Sequence, residues 1–418
     1  MNHALRADRL ADIVAPGASV YVPGGIAVPV AFLADLQNRP ECSRDLRILT
    51  SIAPGIDIPF DVDRLHPSAV VSGLFMQPAL REAQRAGRYR LLPMSYGGFV
   101  RHLQDSAIFD LSVLQVAPPD AAGNCSLGPS VEFLPLAVRQ SRQLLALINP
   151  RLPRIPNAAA LPYDRFDYVC EIDSALPEYR TDTDAPTQAI ARHIAALVED
   201  GSTLQMGLGK VPTALAGALR NHRRLRLFSG MLSDGLRELA EAGALDLDFA
   251  HTACVVAGSR DLYAWATGFA PLRVLGCEVT HDARTLLAQH RFVAVNSALE
   301  VDLFGQCNLE HAEGQAVSGA GGAPDFARAA RLATKGSSIV ALNASYKRGT
   351  ASRIVPCLGE LSISSLSRID VDLVVTEFGV ADLRGASVHQ RAQALIGIAA
   401  PAFRPALQEA WDTFAQRL

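Results

Sequence analysis

The sequence has no run approaching about 18 consecutive apolar residues, so no membrane-spanning helix is expected. The opening stretch MNHALRADRLADIVAPG lacks the apolar segment of a secretory signal. Charge of one sign is also missing: the formal net charge is -3, which offers no electrostatic reason to bind nucleic acid or an anionic membrane. The seven cysteines (Cys42, Cys125, Cys170, Cys254, Cys277, Cys307 and Cys357) are odd in number and widely spaced, with no C-x-x-C. That pattern argues against a disulfide framework or a zinc site and fits a reducing cytoplasm. No H-E-x-x-H or comparable spacing occurs, so no metal is expected.

What is present is apolar and globular. Hydrophobic residues make up 49% and charged residues 19% of 418 positions, enough for two or three domains. Short runs rich in Val, Ile and Leu recur: Ser19–Val22, Leu46–Leu49, Leu111–Val116, Leu144–Ile148, Phe292–Val295, Ser338–Leu342 and Val371–Val375. Such runs read as buried, parallel strands. Helical patterns lie between them at Pro29–Asn38, Ala185–Glu199 and Thr213–Asn221. The alternation predicts an α/β fold.

Two stretches resemble one another at an offset of 183. Ser19-V-Y-V-P-G-G-I-A-V-P-V-A-F-L-A-D-Leu36 lies over Ser202-T-L-Q-M-G-L-G-K-V-P-T-A-L-A-G-A-Leu219, with Ser, Gly, Val, Pro, Ala and Leu coinciding. Each reads as strand, glycine turn, Pro at the first helical position, then helix. The match predicts two related open-sheet α/β domains, residues 1–180 and 185–418, joined across the polar Glu178–Pro186 segment.

Glycine turns feeding helix starts present unpaired N–H groups that suit an anion or a developing oxyanion. Three stand out: Gly24-Gly25, Gly207-Leu208-Gly209 and Gly319-Ala320-Gly321-Gly322. The second is not a Walker loop, because Val211-Pro212 follows Lys210 where Ser or Thr would bind magnesium. Polar residues gather in blocks at or shortly after strand-like runs, at Asn296–Glu310, Gly349–Pro356 and Thr376–Gly385. In open α/β sheets ligands bind beyond the carboxyl ends of strands.

These blocks, in this order, resemble the acetyl-CoA hydrolase/CoA-transferase family, in the branch of 4-hydroxybutyrate and butyrate CoA-transferases. Ala117-P-P-D-A-A-G-N-C-S-L-Gly128 is similar to the family's S-P-P-D-x-x-G-x-x-S-L-G, and Gln205-M-G-L-G-K-V-Pro212 to Q-x-G-I-G-x-I-P. Asn296-S-A-L-E-V-D-Leu303, Ser318-G-A-G-G, Ser352-R-I-V-Pro356 and Val375-T-E-F-G-V-A-D-L-R-Gly385 resemble its C-terminal motifs.

The resemblance implies an active site between two α/β domains and a glutamate that attacks an acyl-CoA, passing through an anhydride to a glutamyl-CoA thioester. It implies oxyanion donors at Asn296 and the Gly321-Gly322 backbone, a supporting carboxylate at Glu377, and CoA contacts at Gly207, Gly209, Gly319 and Lys347. It also implies coenzyme A as part of the substrate rather than a resident cofactor, a small carboxylate as co-substrate, and a homo-oligomer or a partner subunit.

Two departures bear on mechanism. The family's H-[ST]-E-M-x-S-D-G becomes Phe228-Ser229-Gly230-Met231-Leu232-Ser233-Asp234-Gly235, so Gly230 stands in the glutamate's place. The G-x-G-G-Q loop becomes Gly319-Ala320-Gly321-Gly322-Ala323. Glycine offers no nucleophile. The expected activity is therefore non-covalent chemistry on an acyl-CoA, either thioester hydrolysis or decarboxylation and related enolate chemistry. A transferase using another carboxylate and a non-catalytic acyl-CoA-binding protein or subunit are the alternatives. Asp234, Glu238, Cys307 and Ser229 are the neighbouring groups that could stand in as nucleophile.

Overall fold

The computed structural model describes residues 2–418 apart from Asp57, Pro59 and Ser106. The chain forms two compact units, one of residues 1–180 with 251–282, the other of residues 181–250 with 283–418. A contiguous division at 180/185 therefore assigns His251–Asp282 to the wrong unit. This excursion is tied to the first unit by backbone pairing: strand Leu272–Val274 runs parallel to Asn157–Ala158, and Tyr179 N donates to Gly258 O at 3.1 Å.

The first unit is built on an eight-stranded sheet, all parallel, in the order His3–Ala4, Tyr168–Glu171, Ser141–Ile148, Phe109–Val116, Ser19–Val22, Arg47–Thr50, Val70–Gly73, Tyr89–Leu91. Its central strands are buried on both faces. Val20, Tyr21, Val22, Val113, Leu114 and Leu145 are inaccessible to solvent, which is why they read as unbroken apolar runs rather than alternating ones.

The second unit carries a six-stranded sheet in the order Arg226–Leu227, Thr203–Met206, Phe292–Ser297, Ser337–Ala341, Leu373–Thr376, Gly379–Asp382. The first five are parallel and the last is an antiparallel edge. Helix Ala323–Leu332 joins two neighbouring parallel strands and packs on both. Phe326 and Ala330 on that helix meet Phe228, Phe292 and Ala294 in one buried cluster. The C-terminal helices Val388–Ile398 and Arg404–Ala415 add Leu395, Leu407 and Trp411 to a second buried cluster that also includes Ala327 of the Ala323–Leu332 helix. The first of these begins in a capping box between Ser387 and Gln390, satisfying helix-start N–H groups that would otherwise need water.

Strand–turn–helix recurs where the 183-residue offset predicts it, as Ser19–Val22 then Val30–Asn38, and as Thr203–Met206 then Lys210–Ala218. The prolines do not both open their helices. Pro29 is the N-cap residue, whereas Pro212 is the third residue of a helix that starts earlier, at Lys210. Gly209 permits that earlier start, because its φ of 126° is open only to glycine.

Candidate active site

In a parallel sheet every strand points its carboxyl end to the same edge, and crossover helices begin there. The topology of the second unit therefore places all the candidate residues at one edge. Gly207–Gly209 follow Thr203–Met206, and Ser229–Gly230 follow Arg226–Leu227. Asn296 lies at the end of Phe292–Ser297, while Gly319–Gly322 start the Ala323–Leu332 helix. Lys347 follows Ser337–Ala341, and Glu377 follows Leu373–Thr376.

Asn296 is the most informative side chain. It is 9% exposed, and its Nδ2 is buried without a hydrogen-bond partner. A buried amide donor in that condition costs about 1–3 kcal/mol unless something else accepts its proton. On the neighbouring strand Gln205, only 4% exposed, also has a buried side-chain oxygen without a partner. Gln205 pairs with Ala294 in the sheet. Since side chains alternate along a strand, Gln205, Ala294 and Asn296 share a face. Ala294 is in the cluster under the Ala323–Leu332 helix, so this is also the face that the helix covers.

The loop entering that helix has the backbone expected of an anion cradle. Gly321 sits at φ 56°, Gly322 is the N-cap residue, and among the described residues neither N–H finds an acceptor. Across the sheet, Gly207 has nothing within 4 Å of where a Cβ would stand, so its turn borders open space.

The remaining candidates are more committed. Glu377 is half-buried and accepts the Ala344 N–H at 2.8 Å, bracing the loop after Ser337–Ala341. Lys347 pairs with Glu313 at 2.6 Å on the surface, and that contact raises its pKa. Lys210, beside the Gly207 turn, pairs with Asp184 at 2.9 Å. Gly230 is buried between Ser229 and Met231. Phe228, where the resemblance has histidine, fills the apolar cluster beneath the helix.

Two of the possible stand-in nucleophiles fail on geometry. The Ser229 hydroxyl is inaccessible and donates to the carbonyls of Met206 and, at 2.9 Å, Met231. Cys307 is fully buried, and burial pushes its thiol far up.

The sequence reading missed a second polar nest, in the first unit. Glu132 is 1% exposed and adopts a left-handed φ of 42°, rare for a residue with a Cβ. Ser51 donates to its carboxylate at 2.7 Å and in turn accepts from Gly24 N–H at 2.9 Å. Burial pushes the Glu132 carboxyl up to about 7 against these hydrogen bonds. The signal was one acidic residue inside the apolar string Val131-Glu132-Phe133-Leu134. Beside it, the structure gathers Cys254, Cys277 and His281, with their ligand atoms within 4.8 Å of one another, a grouping that the search for closely spaced ligands in the sequence did not register. Their wide spacing in sequence hid them.

Two open, largely parallel sheets, each with a glycine turn at its carboxyl edge and one with buried unpaired N–H donors there, define an α/β protein of two open-sheet units. Residues 258–411 match the model of the acetyl-CoA hydrolase/transferase C-terminal domain. The chain is 32% identical to the 4-hydroxybutyrate coenzyme A transferase of Clostridium kluyveri over 80% of each chain. It is 32% identical to the succinyl-CoA:cyclohexane-1-carboxylate CoA transferase of Geobacter metallireducens, over 82% of this chain and 80% of that one. Among solved structures it is similar to RipA from Yersinia pestis, with a TM-score of 0.90 and 26% identity over 99% of this chain and 98% of that one. It is also similar to 4-hydroxybutyrate CoA-transferase from Porphyromonas gingivalis, with a TM-score of 0.81 and 26% identity over 100% and 98%. The chain belongs to the acetyl-CoA hydrolase/CoA-transferase family of enzymes. No described helix is long and apolar enough to cross a membrane.

Proposed function

We propose that this enzyme acts on an acyl-CoA by stabilising negative charge on the thioester oxygen, with no covalent glutamyl-CoA intermediate. The observation that carries the reading is the buried, unpartnered Asn296 Nδ2 at the same sheet edge as the unpaired Gly321 and Gly322 N–H groups. Fixed donors of this kind stabilise charge that develops during reaction, and removing one typically costs about 10²–10³ in kcat.

Gly230 determines which reactions remain. With no carboxylate in the glutamate's place, two steps develop charge on the same oxygen. In hydrolysis, water adds to the thioester carbon, the C–S bond breaks, and CoA leaves as the thiol with a proton derived from the water. In decarboxylation of an acyl-CoA with a 2-carboxylate, the C–C bond breaks and CO₂ leaves. The electron pair moves to the enolate oxygen, and a solvent proton then adds to carbon. Glu377 positions the loop at Ala344 in either case. Gly207, Gly209 and Gly319 offer backbone approach to the CoA, and Lys347 reaches it only by leaving Glu313.

The test is to incubate the protein with a panel of acyl-CoAs, with and without acetate, and follow free thiol and products by mass spectrometry. Hydrolysis or decarboxylation without acetate dependence supports the reading. Acetate-dependent formation of acetyl-CoA, with CoA mass trapped on an Asp or Glu, replaces it with a conventional transferase. Tight acyl-CoA binding without turnover replaces it with a binding protein or partner subunit.

A further inference from the structure

The polar nest of the first unit holds three side chains that the acyl-CoA chemistry does not use. Cys254 is the link residue between strands His251–Ala253 and Val255–Val256. Cys277 opens the short helix Cys277–Thr280 and His281 caps its end. The four-residue spacing puts Cys277 and His281 on one face of that turn. Cys254 and Cys277 are inaccessible to solvent and His281 is 4% exposed. Their ligand atoms all lie within 4.8 Å of one another.

Main-chain hydrogen bonds help to hold this arrangement together. Val131 N and Glu132 N both donate to Cys254 O, at 2.9 and 3.3 Å. Cys277 N donates to Glu132 O at 2.7 Å, and Val256 N to Pro129 O at 2.7 Å. Three remote segments are thus joined by their backbones. With metal–sulfur and metal–nitrogen bonds of about 2.3 and 2.0 Å, tetrahedral zinc sets neighbouring ligands about 3.5–3.8 Å apart. With no pair of ligand atoms more than 4.8 Å apart, the cluster is compact enough to close to that spacing. His281 Nδ1 is 2.9 Å from Thr280 Oγ1, which itself leans toward Gly276 O at 3.4 Å.

One further acceptor lies next to the cluster: Glu278 Oε2 is buried without a hydrogen-bond partner, and the basic group nearest it, Arg139, lies 4.0 Å from Glu278 with its side chain 58% exposed.

We propose that Cys254, Cys277 and His281 form a buried structural site for a thiophilic divalent cation of the zinc class. Binding exchanges the cation for the two thiol protons, giving two thiolate–metal bonds and a neutral imidazole bond. Because the site is closed to solvent, the ion enters as the chain folds rather than by exchange into the folded protein.

The experiment uses the full chain. Protein expressed with zinc supplementation and dialysed against metal-free buffer is expected to hold one zinc per chain by elemental mass spectrometry. Refolding from denaturant and chelator with Co²⁺ is expected to give the near-ultraviolet thiolate-to-cobalt band and intense visible bands of a tetrahedral site. Cys254→Ser and His281→Gln should lose both signals, and Cys42→Ser and Cys357→Ser should keep them. If the first two variants do not fold, the wild-type zinc content and cobalt spectrum decide alone. The proposal is overturned by wild-type protein that refolds metal-free in excess zinc. Full zinc retention by folded Cys254→Ser and His281→Gln overturns it too, as does a Cys254–Cys277 disulfide on peptide mapping.

Discussion

After the first strand of its strand–turn–helix repeat, each unit makes a glycine turn into a helix, and a buried serine beyond the adjacent strand fastens that turn. In the first unit Ser51 takes the Gly24 N–H and gives its proton to the carboxylate of Glu132. In the second, Ser229 takes the Met206 N–H at 3.3 Å and gives its proton to backbone carbonyls, and Gly230 follows it with no side chain. The first turn is closed: a Cβ at Gly24 would stand 2.4 Å from the Ser51 carbonyl oxygen. The second is open: a Cβ at Gly207 would meet nothing within 4 Å. One scaffold thus gives a sealed, structural turn in one unit and a turn with room for a ligand in the other.

The sharpest way to break this contrast is to add one methyl group to each turn. Gly24→Ala drives a Cβ into backbone that cannot swing aside, so a stability loss of about 3 kcal/mol or more, or failure to fold, is expected. Gly207→Ala should change the denaturation midpoint by no more than about 0.5–1 kcal/mol, the ordinary range for a site without clash or strain. Its effect should fall instead on acyl-CoA affinity, read by calorimetry. Equal stability losses in the two variants would remove the distinction between a structural and a ligand-facing turn.

Next in size is Asn296→Ala. Loss of an oxyanion donor should lower kcat by about 100-fold or more with KM little changed. Folding should be unharmed or slightly improved, since an unpartnered buried amide is removed. Steady-state kinetics beside urea denaturation separates the two. A variant of full activity would show that Asn296 does not face the reacting oxygen.

Glu132 supplies a pH test of the closed turn. Its carboxyl ordinarily titrates near 4.5 and is held near 7 in the fold. Between those values the folded state keeps a proton that the unfolded chain releases, so stability falls as pH rises through this window and levels off above it. The full effect is at most about 3 kcal/mol. Glu132→Gln keeps a group that can accept from Ser51 and cannot ionise, so the difference between wild type and variant isolates this residue. Parallel stability curves from pH 4.5 to 7.5 would mean that Glu132 is not buried as described.

The smallest expected effect is a gain. Gly230→Glu restores the missing carboxylate in a frame that keeps Met231, Ser233, Asp234 and Gly235. Weak acetate-dependent transfer is expected, with borohydride trapping a CoA adduct on the new residue. Phe228 now belongs to the apolar cluster and Ala323 lacks the glutamine side chain, so placement within about half an ångström will not be recovered. Trapping the same adduct in wild type would contradict the non-covalent reading.

Much of this protein is determined by its linear sequence. Buried parallel strands must be apolar on both faces, so the principal strands stand out as short apolar runs whose ends differ from the observed elements by three residues or fewer. The repeat at an offset of 183, the glycine turns and the carboxyl-edge position of Asn296, Gly321 and Gly322 follow from local pattern, because strand, turn and helix start are consecutive in the chain. Three things were decided only by tertiary structure. His251–Asp282 returns to the first unit through pairing with Asn157–Ala158, a contact between remote segments with no local signature. Glu132 acquires its raised pKa from burial beside Ser51 and Gly24, which lie about 80 and 110 residues away. Cys254, Cys277 and His281 become neighbours because main-chain hydrogen bonds to residues 129–132 hold their backbones together, and a spacing rule that requires ligands to be close in sequence cannot register a site assembled by the fold.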